Sequence, residues 1–76
     1  MKGRLLMRPE TDAAVKKYLN FLTQNKQIAA GLYEDFYTEW ELMFYVFTAI
    51  FSYPIKKALS IVDDFRCNII LHCIKE

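Results

Sequence analysis

The sequence predicts an all-α protein, a small up-down-up bundle of three helices. Apolar side chains recur every three or four residues along three segments, and strand-like alternation fails at 42–47, where both parities are apolar. Only two glycines and two prolines occur among the 76 residues, so little of the chain is left for loops. Short connections make neighbouring helices antiparallel, which gives the up-down-up order. A helical hairpin that forms a homodimeric helical bundle is the rival arrangement.

The first predicted helix covers 10–29, after an N-terminal extension at 1–9. Pro9 suits a first helical turn, and acidic residues that follow it face the positive end of the helix dipole. Gly31 is of the type that commonly closes a helix. One apolar stripe is expected to face the core, and it comprises Val15, Tyr18, Leu19, Leu22 and Ala29.

The second predicted helix covers 33–52 and has the strongest periodicity of the chain. It is expected to end before Pro54, because a residue that precedes proline is disfavoured in the helical region. Its core stripe comprises Tyr33, Phe36, Tyr37, Trp40, Met43, Phe44, Phe47, Ile50 and Phe51.

The third predicted helix covers 54–74 and completes a single helical domain, 10–76. Its polar face includes Asn68, and the apolar face is expected to point inward. The inward face comprises Ile55, Leu59, Val62, Phe65, Ile69 and Cys73.

A second apolar stripe lies on the central helix, outside its core face. From residue 42 onward this helix is apolar nearly all round, and such a helix is normally buried on every side. A three-helix bundle covers only part of each member, so something else is expected to cover this stripe. It comprises Leu42, Tyr45, Val46, Ala49 and Tyr53.

A membrane, the chain itself or a protein partner could cover the second stripe, and the membrane is disfavoured as a span. The uncharged run 42–55 makes about 21 Å of helix, too short for a hydrocarbon layer of about 30 Å. Residues 4–7 could fold back over the stripe, or a protein partner could bind it, since exposed apolar patches commonly mark interfaces. The partner is either a second copy or a different protein.

The last turns of the third helix carry a similar patch with helical spacing. We therefore predict a partner-binding surface made of both patches, which raises the odds of self-association. Its residues are Leu42, Tyr45, Val46, Ala49, Tyr53, Cys67, Leu71 and Ile74.

Catalytic and metal chemistry is not expected, because the required groups do not occur at suitable spacing. His72 is expected to pack at the edge of the core, and Cys67 is too far along the helix to share a metal with it. Cys67 and Cys73 lie about 9 Å apart on one helix, beyond the reach of a disulfide, which fits free thiols in a reducing, cytoplasmic compartment. No catalytic residue, cofactor or small-molecule substrate is therefore predicted.

The charge balance argues against a strong nucleic-acid interface. Ten basic and nine acidic residues give a net charge of +1, with no basic helix face. The sequence thus predicts a small non-enzymatic protein that binds another protein, as a regulator, inhibitor, immunity factor or adaptor does. A peripheral membrane protein and a weakly basic nucleic-acid-binding bundle are the alternatives.

Overall fold

The computed structural model describes residues 7–75, with side chains described for residues 7–69. The described part is helical and contains no strand, which confirms the prediction of an all-α protein. Its elements in chain order are α1 (Pro9–Gln24), α2 (Lys26–Asp35), α3 (Glu39–Tyr45), a short π-helix that continues α3 (Val46–Ile50) and α4 (Ile55–Lys75).

The helix predicted at 10–29 is interrupted at Asn25, and the stop predicted at Gly31 is wrong. Asn25 leaves helical geometry with φ −128° and ψ 57°, and its side-chain amide donates to the Phe21 carbonyl at 2.9 Å. Such local side-chain bonds compete with the helix ladder, which is why asparagine interrupts helices. The Asn25 carbonyl then accepts the Ala29 N–H at 2.8 Å and starts α2. Gly31 lies inside α2.

The helix predicted at 33–52 begins later, at Glu39. Thr38 has extended backbone geometry and is the N-cap residue, since its hydroxyl accepts the Glu41 N–H at 3.1 Å. The Glu41 carboxylate in turn accepts the Thr38 N–H at 3.3 Å, which completes a capping box. Both bonds satisfy donors that a helix start leaves unpaired, so the chain starts a new helix here.

The central helix, made of α3 and the π-helix that continues it, changes its winding at Val46. The Phe51 N–H donates to the Val46 carbonyl at 2.9 Å, a bond that spans five residues and defines a π turn. Within the turn, the Thr48 hydroxyl donates to the Phe44 carbonyl at 2.8 Å, a bond that bends helices. The chain then leaves the helix at Ser52, whose φ of 60° lies in the left-handed region.

The core is formed where α1, the central helix and α4 meet. Trp40 lies against Phe65 with ring centres 5.9 Å apart, and Tyr18 lies against Phe47 at the same distance. The buried core comprises Ala14, Val15, Tyr18, Leu42, Met43, Val46, Phe47, Ala58, Ile61 and Val62.

The buried face of α4 differs from the predicted one. Ile55 and Leu59 were expected inside but are exposed, and Asn68 was expected outside but is buried. Ala58 and Ile61 are fully buried instead. Ala58 is small and lets a neighbouring helix approach closely. A helical wheel shows which residues of α4 are apolar, but it does not show on which side the neighbouring helices lie.

Polar contacts fix how α1 lies along α4. The Arg8 guanidinium donates to the Ser60 hydroxyl at 2.6 Å, and the Arg8 backbone N–H donates to Asp64 at 3.1 Å. Further along α1, Lys17 Nζ lies 5.6 Å from the centre of the Tyr53 ring, just before α4 begins. The start of α1 therefore lies beside the middle of α4, and the two helices run in opposite directions.

Candidate functional site

The structure divides the predicted second stripe into three environments. Leu42 and Val46 are 1% and 0% exposed and belong to the core that α1 and α4 build around the central helix. Their assignment to a partner surface is therefore corrected: the chain itself buries these two side chains. Of the predicted alternative cover, residues 4–7, the first three residues lie outside the described part of the chain.

The π turn accounts for the exposure of Ala49, whereas Tyr45 precedes the turn and is exposed on α3. A π turn closes over five residues instead of four, so each side chain after Val46 is rotated away from its position on an α-helical wheel. Val46 and Phe47 stay in the core, while Ala49 and Ile50 face solvent. π turns inside α-helices often occur at functional sites, and this one contains both the buried Val46 and the exposed Ala49.

Tyr45 and Ala49 remain exposed, and Tyr45 lies beside the turn that joins α2 to α3. The Tyr45 and Phe36 rings are 5.1 Å apart, within the range of favourable aromatic pairs. Tyr37, the next residue along the chain, is 100% exposed although the sequence placed it in the core. We call the surface formed by Phe36, Tyr37 and Tyr45 the aromatic corner.

The backbone of the aromatic corner is fixed by hydrogen bonds. The Glu41 carboxylate accepts the N–H of Tyr37 at 3.1 Å as well as that of Thr38, so one side chain holds two successive peptide groups. Tyr37 is thus a fully exposed aromatic residue on an ordered turn. The pattern Thr38-x-x-Glu41 is a capping-box signature that the sequence contains and that locates this turn.

The charged residues that flank the aromatic corner along the chain are acidic, whereas the Arg66 guanidinium of α4 lies 5.5 Å from the centre of the Trp40 ring. Glu34, Asp35 and Glu41 are exposed near it, and no lysine or arginine occurs between Lys26 and Lys56. A basic surface is therefore the complement that suits this corner electrostatically.

Tyr53, the last member of the stripe, lies in a different cluster. Its ring stacks on Phe47, with ring centres 5.5 Å apart and planes inclined by 7°. Two lysine side chains lie over the Tyr53 ring, with Lys57 Nζ 4.4 Å and Lys17 Nζ 5.6 Å from its centre. The structure thus separates Tyr53 from the aromatic corner and places it among cations.

The second predicted patch is described only in part. Cys67 is an exposed free thiol on α4. The side chains of Leu71 and Ile74 lie outside the described residues, as do those of His72 and Cys73.

The bend between α1 and α2 forms an open groove that the sequence did not indicate. Its volume is about 390 Å³, and its apolar members Leu19 and Tyr33 are both half exposed. The groove is lined by Leu19, Leu22, Thr23, Lys26, Ala29, Ala30 and Tyr33.

Two ionisable groups have shifted pKa values, and both join α1 to another helix. Burial raises the pKa of Tyr18, and its hydrogen bond to Glu39 raises it further. Burial also acts to raise the pKa of Asp64, but the Thr11 hydroxyl and the Arg8 N–H groups together outweigh it and lower the pKa. Thr11 Oγ1 is buried without a hydrogen bond of standard geometry, so Arg8 is the stronger stabiliser of this carboxylate.

The described residues offer no cluster of three metal-ligating side chains. No helix in that part of the chain combines the length and the apolar character that crossing a membrane requires. No family model, curated protein or solved structure matches the chain.

Proposed function

We propose that this chain acts by binding another protein, as a regulator, inhibitor, immunity factor or adaptor, and that the aromatic corner is its contact surface. The observation that carries the proposal is the complete exposure of Tyr37 on a turn whose backbone N–H groups are held by Glu41. Tyrosine is enriched among the residues that dominate binding energy at protein interfaces.

Order in the free chain favours binding through this corner. An interface residue on a flexible loop loses conformational entropy when it binds, whereas one on a fixed turn has lost most of it already. The Tyr45 ring adds apolar area beside Phe36, the chain neighbour of Tyr37, and its contact with Phe36 restricts its orientation. The corner is therefore a small preorganised surface rather than the long apolar stripe expected from the sequence.

The acidic rim specifies the kind of partner. Exposed Glu34 and Asp35 attract a basic surface and accelerate its association at low salt. The aromatic side chains then supply the apolar contact. We expect a partner surface with an apolar pocket surrounded by lysine and arginine side chains.

A photo-cross-linker placed in the corner tests the proposal in the native cell. Tyr37 is replaced by p-benzoylphenylalanine, and the same replacement at Tyr33, another exposed tyrosine, is the control. We expect a cross-linked protein from position 37 and not from position 33.

The captured protein is then purified and titrated with variants by calorimetry. Tyr37→Ala and Tyr45→Ala are each expected to weaken binding about tenfold or more, and Tyr33→Ala to leave it unchanged. Circular dichroism confirms that each variant stays helical. Equal affinity for all three variants would refute the corner as the contact surface.

Homodimerisation is one form of the proposal, in which the captured protein is a second copy. Sedimentation equilibrium would then give twice the monomer mass of 9.0 kDa, and Tyr37→Ala would return it to the monomer. Binding to anionic vesicles or salt-sensitive retention on DNA, without a protein partner, would favour the membrane or nucleic-acid alternatives.

A bundle of alternating helices also remains a proposal, with four elements in place of the three that the sequence predicts. A three-helix order of this kind makes the first and last helices parallel. The opposite directions of α1 and α4 instead favour an alternating order of four elements, in which α2 returns the chain from the end of α1 to the start of α3.

A further inference from the structure

Two lysine side chains converge on one aromatic ring at a place that the proposed function does not use. Lys57 Nζ lies 4.4 Å from the centre of the Tyr53 ring, and Lys17 Nζ lies 5.6 Å from it. Lys17 Nζ also lies 4.5 Å from the centre of the Phe51 ring. The lysines come from α1 and α4, so the tertiary fold brings them together.

The ring beneath the lysines is held in place. One face of Tyr53 stacks on Phe47, which is fully buried, and its backbone N–H donates to the Phe47 carbonyl at 2.8 Å. The Tyr53 and Phe51 rings lie 5.9 Å apart and together form an aromatic floor. The π face of such a floor attracts ammonium groups and keeps both of them near it.

The two positive charges lack a carboxylate among the described residues. The ion pairs there join Lys16 to Asp12 and Arg8 to Glu10 and Asp64, and none includes Lys17 or Lys57. The first turn of α4 contains no acidic residue either. Since Lys57 Nζ and Lys17 Nζ lie 4.4 Å and 5.6 Å from the same ring centre, the two ammonium groups are at most about 10 Å apart. With a Debye length of about 8 Å, their repulsion is only partly screened.

We propose that Lys17 and Lys57 form a binding site for a phosphate-type polyanion, which contacts the two ammonium groups on their side away from the Tyr53 ring. Such a polyanion carries at least about as much charge as the two ammonium groups and would replace their repulsion by two attractive contacts. Lysine is a common phosphate ligand because its three N–H donors rotate freely and act as a point charge. The ligand is either a free phosphate compound or the headgroup of an anionic lipid, since both present the same chemistry.

The site is tested by titrating the ¹⁵N-labelled chain with inorganic pyrophosphate and recording amide spectra. We expect the amide signals of Tyr53 and Lys57 to shift, with a dissociation constant on the order of 1 mM, as for a small exposed site. Lys17→Ala and Lys57→Ala should each weaken binding about tenfold, since a hydrogen bond to a charged group is lost. Lys26→Ala, which removes a lysine from the α1–α2 groove, is the matched control and should leave binding unchanged.

A second arm separates the two sources of phosphate. Vesicles of phosphatidylcholine with and without phosphatidic acid are sedimented with the wild-type chain and the same variants. If the chain sediments only with vesicles that contain phosphatidic acid, and only when Lys17 and Lys57 are both present, the ligand is a lipid headgroup. If the chain binds pyrophosphate but not these vesicles, the ligand is a free phosphate compound. The proposal is overturned if neither probe binds, or if binding is the same in the wild type and both lysine variants.

Discussion

The hydroxyl of Tyr18 donates a hydrogen bond to the carboxylate of Glu39. This bond joins the middle of α1 to the first residue of α3. Tyr18 is 1% exposed, so its hydroxyl group needs a partner inside the protein, and the carboxylate supplies it. The contact also places the capped start of α3, and with it the aromatic corner, at a fixed position relative to α1.

The Tyr18 contact makes stability depend on pH in the alkaline range. Burial and Glu39 raise the pKa of Tyr18 above the value of about 10 found in an unfolded chain. Its contribution is complete below pH 10 and is lost as pH rises further, because the unfolded chain then releases a proton that the folded chain keeps. Between pH 10 and 11 the wild type is expected to lose about 1 kcal/mol of stability relative to Tyr18→Phe.

Urea unfolding of both proteins at several pH values measures this difference. Tyr18→Phe keeps the ring in the core, so the two proteins share every other titrating group. At neutral pH the variant should be less stable by about 1 to 2 kcal/mol, because a hydrogen bond to a charged group is removed. Parallel stability curves from pH 9 to pH 11 would show that Tyr18 does not retain its proton in the folded state.

The Asp64 carboxylate should support stability at neutral pH and lose this effect in acid. Its pKa is lowered, so its contribution is present above the unfolded value of about 4 and disappears as pH falls below it. Asp64→Asn should reduce the free energy of unfolding by about 1 kcal/mol at pH 7 and by much less at pH 2.5. Asp12→Asn, which breaks an exposed pair with Lys16, should cost only about 0.3 kcal/mol at pH 7. Equal effects of the two substitutions would contradict a special role for Asp64.

The capping box at Thr38 is expected to contribute both to stability and to the aromatic corner. Thr38→Ala removes the acceptor of the Glu41 N–H and should lower the free energy of unfolding by about 1 kcal/mol. Thr23→Ala is a matched control, because the Thr23 hydroxyl only donates to the Leu19 carbonyl on an exposed face. Thermal unfolding of both variants measures the difference, and an equal loss would mean that the cap is not formed in solution.

The sequence was sufficient to predict the helical class, because periodicity and the scarcity of glycine and proline need no tertiary information. It also indicated that the helix from residue 42 onward would be covered on most sides, as Leu42 and Val46 are. It did not show which part of the chain provides the cover. The wheel assumes a constant rotation per residue, and the π turn at Val46–Ile50 breaks that assumption.

The structural features that the sequence analysis did not predict depend on local hydrogen bonds and on tertiary packing. Thr38-x-x-Glu41 was readable as a capping box and would have placed Tyr37 before the helix rather than in its core stripe. The cluster around Tyr53 was not readable, since Lys17 and Lys57 meet only because α1 lies along α4. The helix break at Asn25 could not be predicted either, because asparagine favours a break when its side chain bonds to the backbone, and the sequence does not show that bond.

The burial of Leu42 gives the sharpest test of the revised central helix. Leu42→Ala removes a side chain that is 1% exposed and leaves a cavity, so the free energy of unfolding should fall by about 3 kcal/mol. Leu59→Ala makes the same chemical change at a position that is 49% exposed, and it should cost less than about 1 kcal/mol. Chemical denaturation with unchanged m-values measures both losses. If Leu59→Ala proved the more damaging, α4 would bury the face that its sequence predicted, and Leu42 would again be open to a partner.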